Sequence, residues 1–203
     1  MAKLAGPAST TRERILGAAF TLFGRYGFKR TSMEDIASEA GLSRTALYLQ
    51  FRNKEDIFRE LARGLHEDGL SGAEGALDSE GPLADRLRAA VEAKTRRMIQ
   101  IVQASPHGSE LMDEKNRLCG DLATDSERRF QKALAQAFKR ADEGSEIDLR
   151  ASGLSAPDAA ELFSRAVDGL RGPEVTVALY RKRLGSLVRV FIAGLGGQPS
   201  QAL

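Results

Sequence analysis

Apolar residues recur along this chain at intervals of three and four, and no convincing stretch alternates apolar with polar as a strand would. Thr10 followed by Glu13 forms a capping box, and Ile15, Ala18, Ala19 and Leu22 then make a buried helical stripe that Gly27 ends. A second helix is predicted from Thr31-Ser32 to Ala40. After the tight turn Gly41-Leu42, Ser43 caps a third helix reaching about Phe51. Asn53 caps a fourth, which carries Ile57, Leu61 and Leu65 inward. The small residues of 71–82 read as a loop or a weak helix end. A fifth helix follows Pro82, with Leu87, Ala90, Val91, Met98, Ile101 and Val102 on one face, and Ser105-Pro106 breaks it. A sixth is expected over 109–122 and a seventh over 125–142, the latter presenting Phe130, Leu134 and Phe138. A loop at 143–157 ends in the start signal Ser155-Ala-Pro-Asp158. The eighth helix runs to Leu170 and is stopped by Gly172-Pro173, and the ninth carries Val177 to Leu195. The pattern predicts an all-α chain of about nine helices without internal repeats, the short ones first and the long ones last.

Composition narrows the class. No stretch approaches the roughly 18 apolar residues of a membrane span, and the first ten residues lack a secretory apolar region, which points to a cytoplasmic protein. One cysteine, Cys119, fits a reducing compartment and a buried structural thiol. The net charge of +2 conceals an asymmetry. Residues 1–60 hold ten Lys and Arg against seven Asp and Glu, and the remainder twenty against twenty-one. A basic N-terminal portion on a near-neutral body is a modest electrostatic footprint for nucleic acid, and equally the mark of a solvated charged face.

The sharpest signal lies between Met33 and Phe51. Two short helices that cross steeply need a small residue where their backbones meet and a flexible one at the turn, and Ala37 four residues before Gly41 meets both needs. Ile36, Leu42 and Leu47 are spaced to fill the core beneath them. That leaves Arg44, Thr45, Tyr48 and Gln50 on the outer face of the second helix of the pair. Spacing alone leaves two ordinary bundle helices as an open alternative. The run from Thr11 to Leu61 resembles the DNA-binding domain of the TetR family of transcriptional regulators. The resemblance rests on Arg14-Ile15-Leu16, Ala18-Ala19, Leu22-Phe23, Gly27, Thr31-Ser32, Ile36-Ala37, Ala40-Gly41-Leu42-Ser43, Leu47-Tyr48, Phe51 and Lys54.

Gly6 and Pro7 mark 1–10 as a flexible arm, and the resemblance implies a helix-turn-helix DNA-binding domain at 11–56 and a helical ligand-binding and dimerisation domain at 57–203. It assigns DNA phosphate contacts to Ser32, Ser43, Tyr48 and Lys54, which would position the protein without reading sequence. Base reading would fall to Arg44, Thr45, Ala46, Leu49 and Gln50, with Arg44 suited to a guanine and Leu49 or Thr45 to a thymine methyl. Leu49 and Gln50 depart from the family, which often has an aromatic residue and a histidine there. Lys29 and Arg30 are either further phosphate contacts or a solvated pair.

Beyond residue 65 the resemblance thins to helix number and order. It implies a homodimer through the last two helices, with Phe163, Val167, Leu170, Tyr180, Leu184, Leu187 and Phe191 as interface candidates and a roughly palindromic double-stranded operator as partner. Periodicity alone would equally bury these stripes in the chain's own core. Helices four to seven resemble an inducer-binding core whose apolar faces carry Leu61, Leu65, Met98, Ile101, Val102, Leu111, Met112, Phe130, Leu134 and Phe138. Lys94 lies along that apolar face. It would snorkel, pair with an acid such as Glu110 or Glu114, or meet a weakly acidic ligand. The expected ligand is small and apolar or weakly acidic, and the expected activity is repression released by that ligand. A filled core would instead favour a regulator controlled by a protein partner, or an activator. No phosphate-binding glycine loop, His-Glu-x-x-His or metal-spaced Cys/His cluster occurs, so neither catalysis, nor a cofactor, nor a metal is expected.

Overall fold

The computed structural model describes residues 10–170 and 176–197. Residues 1–9 of the expected arm (1–10) and the Gly172-Pro173 stop lie outside the described residues. Among those described there are nine helices and no strand: α1 (Thr11–Tyr26), α2 (Met33–Glu39), α3 (Arg44–Tyr48), α4 (Lys54–Leu77), α5 (Leu83–Ala104), α6 (Gly108–Leu118), α7 (Gly120–Glu143), α8 (Ala156–Asp168) and α9 (Val177–Gly194). The fold class is all-α. None of these helices is long and apolar enough to cross a membrane.

The local start signals act as expected. Thr10 and Glu13, Ser32 and Asp35, and Ser155 and Asp158 form reciprocal capping boxes on α1, α2 and α8. Ser43 caps α3 and Thr176 caps α9. Two boundaries differ from the reading of the sequence. The small-residue segment after residue 70 is helical as far as Leu77. A Cβ on Gly69 would stand 2.9 Å from the Lys94 carbonyl oxygen and one on Gly72 3.3 Å from the Ala93 Cβ, so these glycines let α4 lie close against α5. The break between α6 and α7 falls at Cys119, which places Leu122 on α7.

The chain folds as two compact units. The first comprises residues 1–67 and 96–124: α1 to α3, the first part of α4, the end of α5, α6 and the first turn of α7. Its core gathers Ile15, Ala19, Ile36, Leu47 and Ile57 around three rings, Phe23, Phe28 and Phe58, with centroids 5.2–5.8 Å apart. Leu111 and Cys119 of the α6 region close it. Burial pushes the Cys119 thiol above its ordinary pKa, leaving it a packing group. The second unit comprises 68–95 and 125–203. It is centred on Leu87, Leu134, Leu184 and a second aromatic trio, Phe138, Phe163 and Phe191.

Candidate nucleic-acid interface

The turn between α2 and α3 is built by backbone rules. Gly41 has φ +63°, the left-handed conformation that ends a helix, with Leu42 N–H donating to Ala37 O (2.9 Å) and Gly41 N–H to Ser38 O (3.0 Å). Arg14 of α1, half the head away in sequence, fixes the turn from behind: its Nη2 donates to Ala40 O (2.6 Å) and Gly41 O (3.2 Å). The sequence pattern included Arg14 without revealing this task. Leu47 alone of α3 is fully buried and anchors the helix. Regular helix ends at Tyr48, short of the expected end near Phe51, although Phe51 N–H still reaches Leu47 O at 3.0 Å.

On the outer face stand Arg44, Thr45, Tyr48, Leu49 and Gln50, with Ala46 half-buried beside them. Leu49 is 79% exposed on this face. Arg44 is not idle: its Nη1 lies 2.7 Å from the Glu34 carboxylate of α2 and its guanidinium 5.5 Å from the Tyr48 ring centroid. Both members of the Arg44–Glu34 pair are more than half exposed, so the pair is weak, with about 0–1 kcal/mol to lose on opening.

The four expected phosphate contacts divide. Tyr48 is exposed at the edge of α3, and the Ser43 hydroxyl accepts from Ala46 N–H (3.1 Å) as helix cap. Ser32 is occupied within its capping box, its hydroxyl donating to Asp35 Oδ2 at 2.7 Å. That bond, with the Ser32 backbone N–H, holds the Asp35 carboxyl below its ordinary pKa. Lys54 is more fully engaged. Its Nζ donates to the carbonyls of Phe28 (2.9 Å), Thr31 (3.0 Å) and Lys29 (3.3 Å) and sits 4.6 Å from the Phe28 ring. In this state Lys54 staples the loop between α1 and α2, a role the sequence did not disclose.

Within the same compact unit lies a cavity of about 740 Å³. Phe20, Phe23 and Gly24 of α1, Phe58, Leu61 and Leu65 of α4, Met98, Ile101 and Val102 of α5, and Leu111 and Met112 of α6 form its apolar wall. Seven of the eleven expected pocket residues are thus brought together. The other four are not. Phe130, Leu134 and Phe138 fill the core of the second unit, and Lys94, also there, pairs with Glu127 rather than Glu110 or Glu114. Its ammonium stands 4.2 Å from the Phe130 ring centroid, and Ser164 also donates to Glu127. Burial pushes the Glu127 carboxyl up, but the hydrogen bonds from Lys94 and Ser164 and the Lys94 charge outweigh it, and the net shift is downward.

The segment joining α5 to α6 borders the cavity and is tied to the end of α1. Ser105 Oγ donates to Gly24 O (2.8 Å), and the Glu110 carboxylate accepts from Lys29 N–H (2.8 Å). Gly27, at φ +86°, makes room for that carboxylate, since a Cβ there would stand 2.5 Å from Glu110 Oε2. At the other end of α6, Arg59 of α4 donates twice to Asp121 (2.6 and 2.8 Å) and also to the Leu118 carbonyl.

Residues 15–61 match the family described as bacterial regulatory proteins, tetR family. The chain is 31% identical over 173 residues to the helix-turn-helix transcriptional regulator TtgR of Pseudomonas putida, covering 80% of this chain and 79% of TtgR. The chain belongs to the TetR family. As a TetR-family protein it is a DNA-binding transcriptional regulator. A shorter match, 33% over 87 residues and 40% of the relative, is to the transcriptional activator FasR of Mycolicibacterium smegmatis. The fold superposes on SmeT, the repressor of the Stenotrophomonas maltophilia multidrug efflux pump SmeDEF, with a TM-score of 0.65 at 22% identity, over 91% of this chain and 89% of SmeT. SmeT has also been solved in complex with triclosan.

The expected dimer residues pack within the chain's own core, the alternative that periodicity left open. Phe163, Val167, Tyr180 and Leu184 are buried in the chain's own core, with Leu170, Leu187 and Phe191 partly buried against it. Their apolar surface already has an intrachain partner. The large apolar side chains left outward on α8 and α9 are Leu162 (52% exposed), Leu179 (37%) and Val190 (72%). Leu179 and Val190 are eleven residues apart, three helical turns, and so share one face of α9.

Proposed function

We propose that this protein is a homodimeric cytoplasmic repressor that binds a roughly palindromic operator and leaves it when a small, largely apolar molecule enters the cavity of the DNA-binding unit. The observation that carries this reading is the shared frame of the two sites: α1 lends one wall to the cavity and, through Arg14, holds the turn before the recognition helix. A ligand that binds better when α1 and the segment from Ser105 to Met112 are displaced shifts the population toward heads wrongly set for the operator, and its differential affinity sets the induction ratio. The open cavity favours this reading over a regulator without a small-molecule ligand.

In the bound state Tyr48, the capping Ser43, the start of α2 at Ser32 and the charge of Lys54 face phosphates, while Arg44 swings from Glu34 to a base edge. Thr45, Ala46, Leu49 and Gln50 complete base reading. Two-fold pairing falls to the outward face of α8 and α9, including Leu162, Leu179 and Val190. Selection of bound duplexes from random DNA, then footprinting, tests the reading. An enriched palindrome spanning two half-sites is expected, and Arg44→Ala should relax preference at one position per half-site. Failure to enrich any symmetric site would overturn it.

A further inference from the structure

The first turn of α1 carries more than its own helix. A helix N-terminus is where backbone partners are fewest and fraying is easiest, yet this one is locked. Glu13 N–H donates to Thr10 Oγ1 (3.2 Å), and Thr10 N–H donates to Glu13 Oε2 (2.8 Å). From that turn two arginines reach the two ends of α3. Arg14 holds the Ala40 and Gly41 carbonyls ahead of it. Arg12 works at the other end. Its Nη1 donates to Gln50 O (3.4 Å), its guanidinium stands 4.3 Å from the centroid of the buried Phe51 ring, and its Nη2 lies 3.4 Å from Glu60 Oε1 of α4. Each contact is modest, but all three fall on one planar group and tie the chain just past α3 to α1 and α4. α3 itself has five residues, too few to be stable alone, and Leu47 is its one buried side chain. Its setting therefore depends on what grips its ends.

We propose that Arg12 is a positioning residue for DNA reading, a role that rests on α3 being the base-reading helix as proposed above. With Arg14 it makes the first turn of α1 a cradle that fixes both ends of α3 before DNA arrives. Affinity for an operator falls with the fraction of molecules in the competent setting. Contacts to phosphate carry no sequence information and ask for no such exact setting, so loss of the cradle weakens specific binding and spares non-specific binding. The cradle also means that a shift of the start of α1 moves both ends of α3 together.

Arg12→Met removes the guanidinium, and Glu60→Gln leaves Arg12 in place but removes its anchor. The Arg12 side chain is 44% exposed, so its loss opens no core. Hydrogen–deuterium exchange on the full-length protein without DNA reads the cradle: peptides over 44–51 should exchange severalfold faster in Arg12→Met, while those of α8 keep the native rate. Anisotropy titrations then compare the duplex selected from random DNA with unselected duplex. Affinity for the selected duplex should fall by about five- to thirtyfold in Arg12→Met and by less in Glu60→Gln, with affinity for unselected duplex and the salt slope unchanged. The double variant should lose no more than Arg12→Met alone, as two members of one contact do. Equal weakening on both duplexes, with a salt slope shallower by about 0.9, would make Arg12 a phosphate contact and overturn the proposal. Unchanged exchange over 44–51 would overturn it as well. Faster exchange with unchanged selectivity is decided by Arg44→Ala in the same assay. If Arg44→Ala loses selectivity, Arg12 is merely structural; if it too keeps selectivity, the assignment of α3 to base reading falls instead.

Discussion

Lys54 shows how one side chain can match a contact position in a sequence and still hold a second duty that only the fold discloses. Its match to a phosphate-contact position is legible, but its three hydrogen bonds to the Phe28, Lys29 and Thr31 carbonyls depend on where a loop some 25 residues earlier in the chain comes to rest. Lys54→Met should therefore lower thermal stability, by about 1–3 kcal/mol for the lost charged hydrogen bonds, as well as weaken binding to every DNA sequence alike. A pure phosphate contact would leave the melting temperature unchanged. Glu34 is the complementary case. Its carboxylate pairs with Arg44 in the free protein and so stands on the face proposed to meet DNA. Glu34→Gln should leave stability within about 1 kcal/mol but strengthen non-specific DNA binding severalfold at low salt and narrow the gap between operator and random duplex, both read from competition titrations.

At the scale of elements, capping and periodicity made α1, α2, α3, α8 and α9 legible, because each start is written in residues adjacent to it. The extension of α4 through Gly69 and Gly72 was not. A glycine that interrupts a helix and one that admits a neighbouring helix look alike until the Lys94 carbonyl is seen 2.9 Å from the position of a missing Cβ. The fastening of α6 was equally hidden. Its two ends are held by Glu110 and by the Arg59–Asp121 pair, contacts between residues 81 and 62 positions apart. The bidentate hydrogen bond from Arg59 holds the Asp121 carboxyl down to about 2, from an ordinary 3.8. A depressed carboxyl contributes stability that is complete above the unfolded value and is lost as pH falls through the folded one. The melting-temperature gap between the native protein and Asp121→Asn should hold constant from neutral pH to about 4 and close as pH falls from 3.8 toward about 2. A gap independent of pH across that window would show that the pair contributes nothing through the charge.

For the whole molecule, the proposal of a two-fold dimer turns on outward side chains that were not among the interface candidates drawn from the sequence. Leu162→Glu with Val190→Glu places charges on the outward faces of α8 and α9, where both positions are more than half exposed in the single chain. Folding should survive, since neither side chain fills the core, while light scattering should report a monomer and operator affinity should fall by at least about a hundredfold as one half-site is lost. A dimer that persists would move the interface elsewhere. Operator binding should also weaken with salt, with a log–log slope of about −0.9 for each phosphate neutralised.

The sequence by itself determined the helical class and most helix starts, because caps, turns and apolar stripes act over three or four residues and leave their mark locally. Tertiary structure decided which apolar face of α8 and α9 turns inward, that Lys94 answers Glu127, that Lys54 and Arg14 brace the head, and that α1, α4, α5 and α6 meet around one apolar cavity. These depend on helices distant in sequence arriving at the same place. A stripe records only that a face is buried, and the partner that buries it is chosen by packing and by the pairing that every buried charge requires.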